Sequence, residues 1–385
     1  MNILFLDTYY KGLYGAPKSM LSLAQGLYQK HHSITIASTK NDTLLSTADK
    51  LNLNTISLNT PEILLTSRRK QNLLSISFYF FYLMYYWFKQ LRYNSHFKLD
   101  VICVNDIRAY LLFFPLLFLN RRRVVWYVRI NDRVSFISHL AVVISNKIIL
   151  ISSDCYECFS DKEKAKYKNK FSIVNTGFDF SHDEINYDVE INHADMDVVF
   201  VSVGSLCERK NQISILNAFN SLEMDNKHLY LLGSAATDAD KEYERKIKKI
   251  IIDNNISDKV SLIPHTPFVM SYLSLSDCFL FASHKEGLPR VIIESLYSGC
   301  FVISSRVDGI TDILTDNKLG IITESFASDF CFQDDFELAI KQALKSHQVF
   351  RSKLNKHSNR NIRKEYIERN FSFEKFLINF ISVIE

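Results

Sequence analysis

Short apolar runs alternate with longer segments of mixed polarity along most of the 385-residue chain. This alternation predicts strands and helices in turn, which is typical of parallel sheets joined by crossover helices. The predicted strands cover residues 2–7, 33–38, 100–105, 123–129 and 147–152, and then 198–205, 228–234, 259–264, 280–283 and 301–305. The predicted helices cover 18–29, a segment from 212 onward, 240–254 and most of the chain after about 340.

A polar, acidic stretch without periodicity near residues 180–195 separates two series of strands. Each series is long enough to bury a core of its own. We therefore predict an α/β protein with two Rossmann-like, doubly wound domains, over 1–185 and 195–365, and a final helical segment over 366–385. Ligands of such sheets bind at the carboxyl ends of the strands, so we expect a binding cleft between the domains.

Composition places the chain among globular proteins, with 47% hydrophobic and 23% charged residues. The seven cysteines have no regular spacing, which favours a reducing compartment over a disulfide framework. The first predicted strand begins at Asn2 without a basic stretch before it, so we expect no cleavable signal peptide and a cytoplasmic location.

One predicted strand–loop–helix–strand unit carries two carboxylates. The order is Glu286, Gly287, Leu288, Pro289 and, inside the helix, Glu294. Proline is suited to the first turn of a helix. The helix N-terminus after Gly287 should therefore favour a phosphate, while the carboxylates accept hydrogen bonds from sugar hydroxyls. This combination predicts a nucleotide-sugar site; the alternative is an ordinary crossover with incidental glutamates.

The E-G-L-P-x-x-x-x-E spacing resembles the signature of retaining glycosyltransferases of family 4, which have the GT-B fold. The resemblance implies a nucleotide diphosphate sugar, most simply a UDP-sugar, as co-substrate, with no other cofactor and no catalytic metal. It also implies that Glu294 holds the ribose hydroxyls and that Glu286 holds donor-sugar hydroxyls. The family's C-terminal helix usually crosses back to the first domain, so we expect 366–385 to do so.

The segment G-S-L-C-E-R-K-N, which begins at Gly204, resembles the family's G-R-L-x-x-x-K segment. The resemblance puts Lys210 beside the leaving diphosphate. The family's arginine is replaced by Ser205. Arg209 is a candidate substitute, and the alternative is that Arg209 is simply solvated.

The N-terminal domain should bind the acceptor, by the same resemblance. Gly15 matches the glycine-rich first loop, although an ordinary β–α turn explains it equally well. Many relatives carry a histidine near the end of the strand at 123–129. Here Tyr127 and Arg129 occupy the candidate positions, and Asn105 with Asp106 ends the preceding strand. Arg129 would suit an anionic donor or acceptor group.

Charge is unevenly distributed. Residues 1–180 hold 23 Lys and Arg against 12 Asp and Glu, net +11, which leaves 23 against 30 and net −7 for the remainder. A basic first half suits an anionic membrane or acceptor, and no nucleic-acid-binding motif accompanies it. Residues 73–88 are uncharged, aromatic and flanked by basic residues, which predicts peripheral contact at the inner face of the plasma membrane. The alternative is a buried helix.

We therefore predict a retaining glycosyltransferase that moves a hexose or N-acetylhexosamine to a lipid-linked or cell-surface saccharide, as in lipopolysaccharide, O-antigen or capsule biosynthesis. Three alternatives stay open: a GT-B-fold UDP-sugar epimerase, a synthase with a soluble acceptor, and a catalytically silent, membrane-associated scaffold. The two D-x-D strings, at 195–197 and 238–240, do not end strands, so we read neither as a metal site.

Overall fold

The computed structural model describes residues 1–8, 15–65, 73–91, 98–131, 133–180, 198–346 and 353–385. Two compact units are formed. The first contains Met1–Thr176 together with Phe376–Glu385, and the second contains Gly177–Lys375. Most of the stretch read as a linker, 181–197, lies outside the described residues, as does the D-x-D string at 195–197.

The first unit contains a parallel sheet of seven described strands in the order β3-β2-β1-β4-β5-β6-β7. These strands are β1 (Asn2–Asp7), β2 (Ser33–Ser38), β3 (Asn54–Ser57), β4 (Val101–Val104), β5 (Val124–Val128), β6 (Lys147–Leu150) and β7 (Phe171–Ile173). The helices are α1 (Gly15–Gln29), α2 (Thr43–Lys50), α3 (Leu73–Leu91), α4 (Ala109–Leu112), α5 (Phe114–Leu119), α6 (Ser135–Ile144) and α7 (Asp161–Lys166).

Strand β1 lies at the centre of this sheet. Ile3 pairs with Ile34 of β2 on one side and with Val101 of β4 on the other. Every residue of β4 and β5 is buried, as expected for parallel strands covered on both faces. The strand order reverses between β1 and β4, and the carboxyl ends on either side of that point are where doubly wound sheets bind ligands.

The second unit contains a parallel sheet of six described strands in the order β10-β9-β8-β11-β12-β13. These strands are β8 (Val198–Val203), β9 (Lys227–Leu232), β10 (Val260–Ile263), β11 (Cys278–Phe281), β12 (Phe301–Ser304) and β13 (Gly320–Ile322). The helices are α8 (Gln212–Asn220), α9 (Asp238–Asp253), α10 (Val269–Leu275), α11 (Arg290–Tyr297), α12 (Ile310–Ile313), α13 (Phe332–Ser346) and α14 (Lys353–Phe371). The order reverses between β8 and β11.

Side chains of alternate residues fill two apolar layers, one on each face of the second sheet. Phe200 packs with Phe219 and Leu280 in one layer, while its neighbour Val201 packs with Phe279 in the other. This separation follows from the two-residue period of a strand.

The last helix, α15 (Phe373–Ile384), begins in the second unit and continues into the first. Its Phe380 is fully buried, and the ring stacks against Phe5 and Tyr127 with centroid distances of 6.3 and 6.4 Å. The final residues therefore contribute to the core of the first unit.

The prediction of two doubly wound, Rossmann-like domains is confirmed. Predicted and observed bounds of the central strands agree closely. The strands that the sequence analysis missed, β3, β7 and β13, are short and lie at or beside a sheet edge. Among the described helices, none is long and apolar enough to cross a membrane.

Candidate functional site

The carboxyl edge of the second sheet brings several strand ends together. The amide of Gly204, after β8, donates to the carbonyl of Leu232 in β9, and the amide of Gly233 donates to Ile263 in β10. A Cβ atom at Gly233 would lie 2.0 Å from the carbonyl oxygen of Gly204. Glycine is therefore required at Gly233, because the two loops approach more closely than any side chain permits.

Lys210, Arg209 and Glu286 meet at this edge. One carboxylate oxygen of Glu286, Oε1, lies 2.7 Å from the Lys210 Nζ and 2.8 Å from the Arg209 Nη1. The same oxygen accepts a hydrogen bond of 2.7 Å from the Ser283 hydroxyl. Lys210 and Glu286 are mostly shielded from solvent, with 14% and 16% of the side chains exposed, whereas Arg209 is 50% exposed. Two cations thus share one carboxylate next to the glycine loop.

Backbone geometry fixes where Lys210 points. After β8 the chain makes a 3-10 turn over Glu208–Lys210, and Asn211 then adopts a left-handed conformation with φ of 51°. The lysine stem runs along Gly204, where a Cβ atom would lie 3.3 Å from the lysine Cε, and the Nζ lies 5.1 Å from the centre of the Phe281 ring. Gly204 therefore leaves room for the extended side chain of Lys210.

Helix α11 follows the Glu286 loop. The helix begins at Arg290, and Pro289 is the N-cap residue with ψ of 98°, so the placement of Pro289 in the first turn was wrong by one position. The proline ring fixes φ, but the ψ value is extended and not helical, so the helix begins only at the next residue. Gly299 lies just past the helix end with φ of +88°.

Glu294 lies one turn into α11 and is 17% exposed. Its carboxylate accepts a 2.5 Å hydrogen bond from Arg290, whose guanidinium also lies 4.7 Å from the ring of Phe178. The sequence analysis did not foresee this pairing. Glu294 is therefore held by a cation of its own helix, which a ligand hydroxyl would have to replace.

Gly309 is a supporting residue that the sequence analysis missed. It has φ of +77°, and a Cβ atom there would lie 2.4 Å from the carbonyl oxygen of Gly287. Any side chain at this position would push the Gly287 loop away, so the glycine allows that loop to pack directly against residue 309. The Asp308-Gly309 pair after a strand is a turn signal that could have identified it.

Arg129 lies at the carboxyl edge of the other sheet, in the first unit. Its Nε donates to the side chain of Asn105 at 3.1 Å, and its Nη1 donates to the Ser19 hydroxyl at 2.8 Å. The third nitrogen, Nη2, is buried and has no hydrogen-bond partner among the described residues. Arg129 is therefore rigidly positioned and still has an unused donor.

The hydroxyl of Tyr127 already has a partner within the protein. The side chain is fully buried and the hydroxyl donates to the carbonyl of Val174 at 2.7 Å. Burial raises the pKa of Tyr127 to about 12, against the opposing charge of Arg129, whose guanidinium lies 3.9 Å from the ring centre. Of the two residues considered in place of the histidine, Arg129 alone has a buried polar atom without a hydrogen-bond partner among the described residues.

A pocket of about 660 Å³ in the first unit is lined by these strand ends, including Asp7, Asn105, Asp106 and Arg129. The carboxylate of Asp106 also accepts from the amide of Arg108 at 3.0 Å, so it caps the following turn as well. Carboxylates, an amide and a guanidinium in one pocket are suited to a polyhydroxylated ligand, since they offer both acceptors and donors.

Gly15 opens α1 and is exposed, and a Cβ atom there would meet nothing within 4 Å. The packing of the first unit therefore gives no reason for glycine at this position. Residues 9–14, which include the rest of the glycine-containing loop, lie outside the described residues.

Within the described part of the chain, no three His, Cys, Asp or Glu side chains form a group that could hold a metal ion. Asp240 of the second D-x-D string closes a capping box with Thr237 at the start of α9. The sequence-predicted site residues thus fall into two groups, one in each unit: the loops around Gly204, Lys210 and Glu286, and the strand ends around Arg129.

Comparison with known proteins fits this geometry. Residues 183–365, just under half of the chain, match the family profile described as glycosyl transferases group 1. A solved structure of Anabaena HepE in complex with UDP aligns with a TM-score of 0.73 and 14% identity, covering 100% of this chain and 99% of that one. The chain has the GT-B fold.

Relatives of similar sequence align with a smaller part of this chain than the solved structure does. An uncharacterized glycosyltransferase of Methanocaldococcus jannaschii is 25% identical over 285 residues, which cover 64% of this chain and 69% of that protein. A Campylobacter jejuni protein named N-acetylgalactosamine-N,N'-diacetylbacillosaminyl-diphospho-undecaprenol 4-alpha-N-acetylgalactosaminyltransferase is 28% identical over 138 residues, 36% of each chain. The chain thus spans about a third of that relative. Together with the family match, these names support a GT-B glycosyltransferase.

Proposed function

We propose that this protein is a retaining, metal-independent glycosyltransferase. It transfers a hexose or N-acetylhexosamine from a UDP-sugar to a lipid-linked or cell-surface saccharide, in lipopolysaccharide, O-antigen or capsule biosynthesis. The observation that carries the proposal is the 2.7 Å contact between the Lys210 ammonium and Glu286, directly before the loop into α11. A cation for a diphosphate and a carboxylate for a sugar are brought to one place.

The donor is held by replacing contacts that the protein makes with itself. A diphosphate carries more negative charge than a single carboxylate, so it draws Lys210 and Arg209 away from Glu286. The Glu286 carboxylate is then free to accept hydrogen bonds from hydroxyls of the donor sugar, and Glu294 accepts from the ribose after leaving Arg290. N–H groups at the start of α11 add positive potential beside the diphosphate.

Retention follows, in this proposal, from attack on the face of the sugar that the leaving group vacates. A phosphate oxygen of the donor takes the proton of the acceptor hydroxyl, so the reaction needs no side-chain base. Lys210 acts mainly on the transition state, because negative charge on the diphosphate grows as its bond to the sugar breaks. Arg129, with its free Nη2 donor, binds an anionic or hydroxyl group on the acceptor side.

The relatives support the choice of donor and acceptor classes. Anabaena HepE was solved in complex with UDP, and the name of the Campylobacter relative specifies a diphospho-undecaprenol-linked saccharide. The basic first half of the chain, net +11 over residues 1–180, suits an acceptor that carries a diphosphate.

The experiment is a panel of nucleotide sugars, with binding read by native mass spectrometry and turnover by release of nucleotide diphosphate. We expect one UDP-sugar to bind and to be hydrolysed slowly, and NMR of the product with an added acceptor to show the donor's anomeric configuration. Release of an epimer alone would instead identify an epimerase. Failure of every nucleotide sugar to bind would overturn the proposal in favour of a silent scaffold.

A further inference from the structure

Helix α3 exposes far more aromatic surface than a helix of this fold needs. Its outward side chains are between 41% and 74% exposed; they are Phe78, Phe80, Phe81, Tyr82, Met84, Tyr85 and Phe88. Large apolar groups clustered on a surface in this way mark an interaction site.

The inner stripe of α3 is buried against the rest of the first unit. Tyr79, Leu83, Tyr86 and Gln90 are buried at helical spacing. The Tyr86 hydroxyl donates to the carbonyl of Leu58 at 3.1 Å, and the Gln90 amide donates to that of Leu112 at 2.9 Å. The helix is thus anchored along one side, so the exposed rings cannot be explained as an alternative core face.

The exposed face is continuous with a cluster of arginines. The Trp87 and Phe114 rings lie 5.3 Å apart, the Phe114 and Phe118 rings stack at 5.6 Å, and the guanidinium of Arg121 lies 5.5 Å from the Phe118 ring. Phe118 and Leu119 are exposed, as are all three residues of Arg121–Arg123. We call this combined surface, the outer face of α3 with Phe118–Arg123, the aromatic–basic face.

We propose that the aromatic–basic face docks on an anionic lipid bilayer, with α3 lying in the plane of the membrane. Aromatic side chains favour the boundary between headgroups and acyl chains, and arginines beside them gain from negatively charged headgroups. The anchored inner stripe holds α3 against the unit, so the helix cannot be surrounded by lipid. Glu62, in the 3-10 segment that packs against α3, is paired with Lys40 and does not offset the arginines.

Charge distinguishes this partner from a second copy of the chain. A symmetric dimer through the same face presents the same patch on both copies, so it would bring two arginine clusters toward each other. Like charges at such an interface oppose association, whereas an anionic surface is complementary to every charge of the cluster.

The test is flotation of the full chain with lipid vesicles in a sucrose gradient, without donor or acceptor, so its result does not depend on the proposed reaction. We expect flotation with vesicles of phosphatidylcholine and phosphatidylglycerol, and much less with phosphatidylcholine alone. Replacing the three residues of Arg121–Arg123 by glutamine should lower the partition coefficient by roughly 100-fold, about fivefold per charge. Replacing both Phe81 and Phe88 by serine should lower it at least about tenfold.

Matched controls lie on the second unit. Lys241, Arg245 and Lys249 of α9 are at least 61% exposed, and their replacement by glutamine removes the same number of charges. Phe330, which is fully exposed, provides a phenylalanine control. Both controls should float like the unmodified protein.

The proposal is overturned if the unmodified protein stays at the bottom of the gradient with anionic vesicles, or if the control variants lose binding as much as the face variants. Sedimentation velocity tests whether two copies of the chain associate through this face. A dimer that dissociates on Phe81 and Phe88 replacement, in a protein that does not float, would identify the face as a contact between copies.

Discussion

Replacing Lys210 by methionine removes the ammonium group and keeps most of the side-chain stem. The stem packs along Gly204, so the loop should keep its position, while the contact between the Nζ and the Phe281 ring is lost. Glu286 keeps its hydrogen bond from Ser283 and its ion pair with Arg209. Because the carboxylate retains these partners and is not left as an unpaired charge, the variant should fold, with a loss of stability of about 1.5–3 kcal/mol for one charged hydrogen bond in a mostly shielded pair.

The effect on catalysis should be much larger. As the bond to the sugar breaks, the diphosphate gains about one negative charge, and one unit charge about 4 Å away contributes roughly 4 kcal/mol at an effective dielectric near 20. Competition from Glu286, 2.7 Å away, reduces the net value. A remaining stabilisation of about 3 kcal/mol corresponds to a rate lower by roughly 10²-fold, the scale for losing one preformed charge stabiliser.

The assay is single-turnover transfer or donor hydrolysis at saturating UDP-sugar, so that weaker binding does not disguise the change in rate. Lys210→Ala should lose at least as much as Lys210→Met, and Lys249→Ala, on the exposed face of α9, should lose nothing. A Lys210→Met variant with the rate of the unmodified protein would refute the assignment of the leaving-group role, whatever its melting temperature.

Three further outcomes are expected. Glu294→Ala should raise the donor KM about tenfold or more with little change in kcat, because a charged acceptor of ribose hydroxyls is lost; titration of the donor under steady-state conditions measures this. Gly309→Ala should destabilise the second unit by about 1–3 kcal/mol and raise the donor KM, because a Cβ atom would displace the Gly287 loop. The control is Gly299→Ala, which also has a positive φ but whose Cβ atom would meet Arg360 and not that loop. Burial raises the pKa of Glu163, but hydrogen bonds from Ser160, His139 and Arg133 outweigh that effect and lower the pKa to about 2. Glu163 should therefore contribute about 3 kcal/mol to the free energy of unfolding above pH 4.5. This contribution should be lost as the pH falls toward 2.

Each of these outcomes has a clear contradiction. An unchanged donor KM in Glu294→Ala would remove the ribose role. Equal KM values in the Gly309 and Gly299 variants would mean that the loop position does not matter for the donor. Parallel unfolding free energies of Glu163→Gln and the unmodified protein between pH 5 and pH 2 would show that Glu163 does not carry the acid dependence.

The residues of the donor site could be proposed from the sequence because each lies directly after a buried strand or inside a short motif. Glu286 and Lys210 are 76 positions apart in the chain. Both follow strands of the same parallel sheet, and the carboxyl ends of those strands lie at one edge. The ion pair itself could not be predicted, since its existence depends on the turn at Asn211 and the path of the lysine stem past Gly204. The Arg290 partner of Glu294 is different, because the two residues are four positions apart in one helix, a spacing that the sequence could have indicated.

On the proposed acceptor side, the sequence decided less and the packing decided more. The sequence favoured Arg129 as a site residue but left open whether Tyr127 or Arg129 replaces the histidine. Packing decided between them: the ring of Tyr127 stacks on Phe380 and its hydroxyl is held by Val174, both from distant parts of the chain. Of the two, only Arg129 bonds to Asn105, just after β4, and to Ser19 in α1.

The sequence by itself determined that two series of strands and helices form two doubly wound domains, and it placed the central strands along the chain, because apolar strand periodicity and helix boundaries are local properties. It also determined which loops carry chemical groups, since those groups follow the strands directly. The tertiary structure alone decided that Lys210 and Arg209 pair with Glu286 and which face of α3 remains uncovered. Those features depend on distances between segments far apart in the chain, and no local pattern encodes such distances.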